Sequence, residues 1–466
     1  MIYILGGGPT GISTAHELNN TTDLEFILIE KGNKVGGLAS TLNWEPHGLH
    51  DLGPHKIFSI DKELEKKVKQ IIGDENWITK EKKSKIFLNG KLINYPPSPF
   101  VILRTFGIFS FTRFVFSFLY QKFYLNNKPQ KINSYKDHLT TRVGSQIFEN
   151  VFKPITEKIW GDPSILDKKL SETRVQLPSI FDMLLLTIGI KKKNNFEANE
   201  FIYPKNGLNM IWEKIKSNID DKNFHLGTTV ESFSLEKNKV NKIYAKKNNE
   251  DVVYTLSEQD VVINTLPLNI VQNSFKDTFG EKFIEESNKI LKMNDLFLVF
   301  LSIKKSKLFD ESWLFVADKK LIFHRVSEQK SFDDEMVKND RTIVCCEVMI
   351  NKFNKEFSDE EIINKTIEDL SILKKEKIEV LDKKLIKLFK SYPVYQKDYE
   401  IKLKSILDKY DSIDNFYTIG RQGSFNYIGT LDCMDIGFGF VKWFKNKHVN
   451  SWEDERKRTD QYPILD

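Results

Sequence analysis

Three glycines near the amino terminus have the spacing that lets a backbone hold a phosphate. Gly6, Gly8 and Gly11 form G-x-G-x-x-G directly after the apolar run Ile2–Leu5. Gly6 permits a tight turn, Gly8 lets the backbone approach a pyrophosphate, and Gly11 lets the next helix pack on the strand. Pro9 and Thr10 open that helix, whose free N–H groups and partial positive charge suit an anion. A second apolar run from Leu24 ends at Glu30, nineteen residues past Gly11. A carboxylate there, with Lys31 beside it, is placed to hold a ribose. These residues predict a dinucleotide; an ordinary glycine turn is the bland alternative.

A second glycine cluster narrows the ligand. Lys34-Val-Gly-Gly-Leu-Ala-Ser40 follows the ribose acid, and a nicotinamide domain has no need of it. An extended FAD does need it, because only glycine at Gly36 and Gly37, next to Leu38, lets backbone reach ribityl and pyrophosphate oxygens. The expected cofactor is therefore FAD. Next come His47, His50 and His55 within one short stretch. No acid–histidine helix motif accompanies them, so a metal is not expected. Gly53-Pro54-His55 reads as a loop that sets one imidazole beside a ring, or equally as a hydrogen-bonded loop histidine.

Gly-Pro-His-x-x-Phe after a Gly-Gly-Leu loop resembles the UDP-galactopyranose mutases, within the larger group of amine and protoporphyrinogen oxidase flavoproteins. The resemblance runs through most of the chain. Phe152-Lys-Pro-Ile-Thr-Glu-Lys-Ile-Trp-Gly161, Tyr203-Pro-Lys-Asn-Gly207, His324-Arg-Val-Ser-Glu328 and Gly420-Arg-Gln-Gly-Ser-Phe-Asn-Tyr427 are similar to segments of that family. It implies FAD contacts at Val230, Gly420, Arg421, Tyr427 and Asp432, with His55 against the flavin ring. It implies substrate contacts at Trp160, Arg174, Arg325 and Tyr427, the arginines pairing with a sugar-nucleotide diphosphate. His55, Arg174, Arg325 and Tyr427 are the expected catalytic group. The implied reaction interconverts pyranose and furanose forms of a UDP- or related sugar through N5 of reduced flavin, without net redox, for surface polysaccharide synthesis. NAD(P)H would serve as external reductant.

This sequence departs from the family at substrate contacts. Ile155 stands where the mutases have a tyrosine, Val344-Cys-Cys-Glu-Val348 lacks an arginine, and Phe425 replaces a tyrosine. The competing expectation is an FAD oxidase or dehydrogenase of an apolar or amine substrate. A flavin-bound protein without catalysis is a third. An arginine-lined pocket favours the first, and an apolar, arginine-free pocket the second.

The elements that must position these residues are those of an α/β protein. We expect a doubly wound, Rossmann-type FAD-binding domain with an inserted α+β substrate domain that contains a helical subdomain. The FAD domain would comprise 1–90, 201–290 and 400–466; 91–200 would be a helical insertion and 291–399 the α+β part. With 466 residues, 70 basic and 65 acidic, the chain is an ordinary globular protein, and no nucleic-acid module is expected. Its three cysteines and the absence of a signal pattern suggest a cytoplasmic setting. Phe100–Tyr120 carries seven phenylalanines, interrupted by Arg104 and Arg113. A transmembrane span is not expected. A buried helical hairpin comes first, then a homodimer contact, then a peripheral membrane face.

Overall fold

Strand Ile2–Leu5 is the centre of a five-stranded parallel sheet. The computed structural model describes residues 1–59, 61–94, 99–125, 131–175, 200–447, 449–459 and 462. The sheet order is 416–418, 261–264, 2–5, 26–29, 224–225, so three distant stretches of chain supply it. Alternation along the strand assigns its two faces. Ile2 and Ile4 pack with Ile12, Leu18, Trp212 and Met434 under helices Pro9–Thr21, Asn209–Ser217 and Thr430–Lys445. Tyr3 and Leu5 point the other way, into a core shared with Phe233 and Ile243 of the antiparallel sheet 228–255. Helices Pro9–Thr21 and Thr430–Lys445 cross closely, since a Cβ on Gly437 would stand 2.7 Å from the Thr10 carbonyl.

A seven-stranded mixed sheet forms the second layer, in the order 380–393, 293–303, 342–349, 325–328, 313–316, 84–88, 91–94. An Asn-Gly pair between two apolar runs predicts a hairpin turn, and the hairpin at Asn89–Gly90 is there, with both residues at positive φ. Its first strand runs parallel to Trp313–Val316, so the sheet draws on residues 84–94 as well as 293–393. Val299, Leu314, Val326, Cys346 and Val348 bury one face of this sheet. The opposite face carries Leu296, Phe315, Arg325 and Glu347.

Residues 99–125 and 131–175 are mostly helical, as predicted; residues 176–199 of the expected helical insertion lie outside the described residues. The aromatic segment is not a buried hairpin. Within Ile108–Tyr120 only Phe114 is buried, because the helix lies on the periphery with one face on the protein. No helix among the described residues is long and apolar enough to cross a membrane. Cys345, Cys346 and Cys433 are all buried free thiols.

Candidate functional site

Two helices begin at the same cleft, and neither N-cap residue supplies a capping side chain. Helix Pro9–Thr21 is capped by Gly8 and Thr430–Lys445 by Gly429. Their first-turn N–H groups are therefore available to an anion. The cleft has a volume of about 640 Å³ and runs from the glycine turn to the mixed sheet. Such a volume is in the range of ligand pockets.

The glycine turn fits a phosphate by a test internal to the protein. A Cβ on Gly11 would stand 2.0 Å from the Gly6 carbonyl oxygen, so Gly11 is required by the fold. A Cβ on Gly8 would meet nothing within 4 Å, and its φ of −70° is ordinary. The space beside Gly8 is cleft. Glu30 lies on the same wall, its carboxylate accepting from Gly7 N at 2.7 Å and Gly32 N at 2.6 Å. These two bonds fix its rotamer while each oxygen keeps a further lone pair.

Gly6, Pro9, Thr10, Gly37 and Leu38 also line the cleft. Gly36 and Gly420 do not. Gly36 N donates to the Gly7 carbonyl at 2.7 Å, and a Cβ on Gly420 would stand 2.5 Å from Thr10 Oγ1. Both glycines fit loops together behind the cleft wall. Lys31 and Val230 lie off the wall as well. The segment before Val230 is tied to the Glu30 loop by Gly227 N to Gly32 O, 3.0 Å, and Thr228 N to Glu30 O, 2.9 Å.

The three histidines diverge. His47 bonds Ser302 Oγ at 2.9 Å and Asp382 at 3.1 Å, and buried His50 lies on Phe300 with ring centroids 4.0 Å apart. His55 alone enters the cleft. The loop carrying it is anchored at Asp51, a buried carboxyl accepting from Thr41 Oγ1 at 2.5 Å and Tyr203 Oη at 2.6 Å. Burial raises Asp51 to about 6. Burial, then the charges of Arg325 and Arg421, lower His55 to about 4, so its ring is neutral at pH 7.

Arg325 pairs directly across the sheet with Glu347, and the two side chains share the cleft face. The contact is bidentate, with Nη2 to Oε2 at 2.8 Å and Nε also donating to Glu347. Tyr392 Oη accepts from Arg325 Nη2 at 3.3 Å and its ring meets Tyr427 at 5.4 Å. The Arg421 guanidinium lies 4.5 Å from the Tyr427 ring centre and donates to the Ile428 carbonyl. Tyr427 N in turn donates to Tyr395 Oη at 2.8 Å. Asp432 accepts from Gly429 N at 2.9 Å at the helix start.

Thus His55, Arg325, Arg421, Tyr427 and Asp432 meet in one cleft with the glycine turn and Glu30. Trp160 does not join them; it packs, partly buried, against the large core cluster that includes Phe148 and Tyr395. Its neighbour Lys158 donates to the carbonyls of Val316, Asp318 and Phe323 at 2.7–3.0 Å, tying that helix to the Arg325 hairpin. Arg174 ends helix Lys168–Arg174, and its side chain is outside the described structure. Glu347, Tyr392, Lys387 and Lys390 line the cleft without having been predicted. Glu347 had a signal: it is the one charged residue in the strand Thr342–Met349.

A family model for NAD(P)-binding Rossmann-like domains matches residues 4–71. Among solved structures, the chain is similar to a reduced UDP-galactopyranose mutase at 18% identity and a TM-score of 0.79, covering 100% of this chain and 99% of that one. It is also similar to a protein assigned as a protoporphyrinogen oxidase from Exiguobacterium sp. (16%, TM-score 0.73, 96% and 98% covered). A CLA-producing fatty acid isomerase from P. acnes matches at 12% identity and a TM-score of 0.61, with 95% and 98% covered. The fold is that of UDP-galactopyranose mutase, a mixed α/β architecture with a Rossmann-like domain.

Proposed function

We propose that the cleft holds FAD and that the chain is a flavin-dependent enzyme interconverting ring forms of a nucleotide-activated sugar. The observation that carries this reading is the meeting of Arg325 and Arg421 with Tyr392 and Tyr427 beside His55. Guanidinium forks and phenol donors match the oxygens of a diphosphate. Lys387 and Lys390 add positive charge to the same wall.

In this reading Gly6–Thr10 and the start of helix Thr430–Lys445 hold the pyrophosphate, and Glu30 the ribose. Gly37, Leu38 and Asp432 line the rest of the cofactor's path. When bound and reduced, the flavin supplies a nucleophile for the anomeric carbon with no net redox change. The protein's share is position and charge. His55, neutral at pH 7, offers a hydrogen bond without adding charge. Glu347 and Tyr392 hold Arg325 rigid, so little side-chain freedom is lost when a phosphate arrives. Arg174 is retained as a third diphosphate contact, and Trp160 becomes a packing residue. NAD(P)H is the proposed reductant, and surface polysaccharide synthesis the proposed setting.

A second reading has its own support. Leu296, Trp313, Phe315, Leu388 and Phe389 give the cleft an apolar stretch, and Glu347 matches the charge of Arg325. Both suit an oxidase of an apolar or amine substrate. Calorimetric titration of the flavin-loaded protein with UDP, uridine, a UDP-sugar and a long-chain amine separates the two. The mutase-like reading expects UDP and the UDP-sugar to bind, more weakly as salt rises, and uridine not to. Binding of the amine alone would overturn the mutase-like reading in favour of the oxidase.

A further inference from the structure

The helix Ile108–Tyr120 is mostly apolar yet only one side touches the protein. Phe114 faces inward at 3% exposure and packs edge-on against Phe106, with ring centroids 5.1 Å apart. The outer face repeats at helical spacing through Phe109, Arg113, Phe116 and Tyr120. Phe109 is 85% exposed and Phe116 73%, and the turn Gln121–Leu125 adds Phe123 at 66%. Phe100, on the preceding helix Pro99–Phe106, is 64% exposed. Four exposed phenylalanines on one contiguous segment make a patch that a soluble surface does not ordinarily carry.

The charge around the patch is of one sign. Between Glu81 and Asp137 the sequence contains no acidic residue. Arg104, Arg113 and Lys122 lie within the aromatic segment, all exposed, and none forms an ion pair with an acid among the described residues. A second copy docking through this face would set these cations against their own counterparts, which is unfavourable in a self-complementary contact. A phospholipid surface with anionic headgroups meets both features at once. The rings enter the acyl boundary, and the long basic side chains reach back to the phosphates. The geometry agrees: thirteen helical residues span roughly 20 Å, too short to cross a bilayer core of about 30 Å but suited to lying in its interface.

We propose that the helices Pro99–Phe106 and Ile108–Tyr120, with the turn Gln121–Leu125, dock the protein onto the surface of a bilayer bearing anionic phospholipid. The rings act as wedges and Arg104, Arg113 and Lys122 as headgroup contacts. The enzyme would then work at a membrane surface without spanning it.

The test is co-sedimentation of the full-length, flavin-loaded protein with vesicles of phosphatidylcholine, alone or mixed with phosphatidylglycerol. Two double variants accompany it: Phe109→Ser with Phe116→Ser, and Arg104→Glu with Arg113→Glu. All four side chains are exposed, so melting temperature and flavin content should match the parent. The expected result is pelleting with the mixed vesicles, weakened by salt and reduced at least about tenfold in each variant. No pelleting on either vesicle, or pelleting unchanged in both variants, overturns the proposal. So does a parent dimer in sedimentation velocity that the phenylalanine variant dissolves while vesicles are ignored, since the face then belongs to a second copy.

Discussion

Replacing Gly8 by alanine separates what the fold requires from what a ligand requires. Its backbone, φ −70° and ψ 179°, is open to any residue, and a Cβ there meets no atom within 4 Å. The fold should therefore accept the methyl. Alanine also restricts the unfolded chain, a stabilisation of about 0.4–1 kcal/mol for the flavin-free protein. At ~2 cal/mol/K per residue, that moves the melting temperature by no more than roughly 1 °C. The bound state tells otherwise. Loss of one charge-assisted bond between backbone and pyrophosphate costs about 1.5–3 kcal/mol, or roughly ten- to a hundredfold in affinity. Gly11→Ala is the control. Its Cβ would stand 2.0 Å from the Gly6 carbonyl oxygen, so the apoprotein itself should lose about 1–3 kcal/mol. The assay is calorimetric melting of stripped protein together with titration of FAD followed by absorbance. Full flavin affinity in Gly8→Ala would refute the placement of the pyrophosphate. A drop of several degrees in its apoprotein would refute the claim that the fold leaves Gly8 free.

Three other outcomes are expected. Arg325→Met strands the buried carboxylate of Glu347 and should cost about 3–5 kcal/mol in urea denaturation, much of which Arg325→Met with Glu347→Gln should restore. His50 is lowered to about 4 by burial. Its unfolded form binds a proton below about pH 6.5 while the folded form does not, so stability is full above that pH and falls as pH drops. Its share of the loss between pH 7 and pH 5 should be about 2 kcal/mol, so the slope in His50→Leu should be shallower by that amount while the like share of His55 remains; an unchanged slope in that variant would assign the dependence elsewhere. Lys158→Met leaves three carbonyls without their donor and should destabilise by about 1–3 kcal/mol for each that water cannot reach. A neutral result would show that the clamp on the Arg325 hairpin is dispensable.

Local patterns in the sequence carried a large part of this architecture. The glycine turn, the acid at Glu30 and the Asn89–Gly90 hairpin depend on residues close in the chain, and each lies where its pattern puts it. Residues joined only by sheet register were harder to read. In the sequence Glu347 stands only as one residue of a strand that lacks an arginine, yet it meets Arg325 across two strands, 22 residues away in sequence. Tyr392 belongs to the strand Val380–Pro393, whose lysines hide its alternation at an edge of the sheet. Trp160, expected at the substrate, packs against a core cluster and lies off the cleft wall, a placement that depends on tertiary packing. The Phe100–Tyr120 segment had a composition suited to a core or a lipid surface; which of its faces met protein depended on the tertiary fold.

In the proposed function a flavin cleft lined by Arg325, Arg421, Tyr392 and Tyr427 turns over a sugar nucleotide. Its most direct test is anaerobic incubation of the dithionite-reduced, FAD-loaded protein with UDP-, dTDP- and GDP-sugars, products resolved by chromatography, alongside an aerobic peroxide assay. A ring isomer of at least one sugar nucleotide should form, only when the flavin is reduced and with no stoichiometric peroxide. Steady peroxide production from an amine or apolar substrate, with every sugar nucleotide returned unchanged, would contradict it.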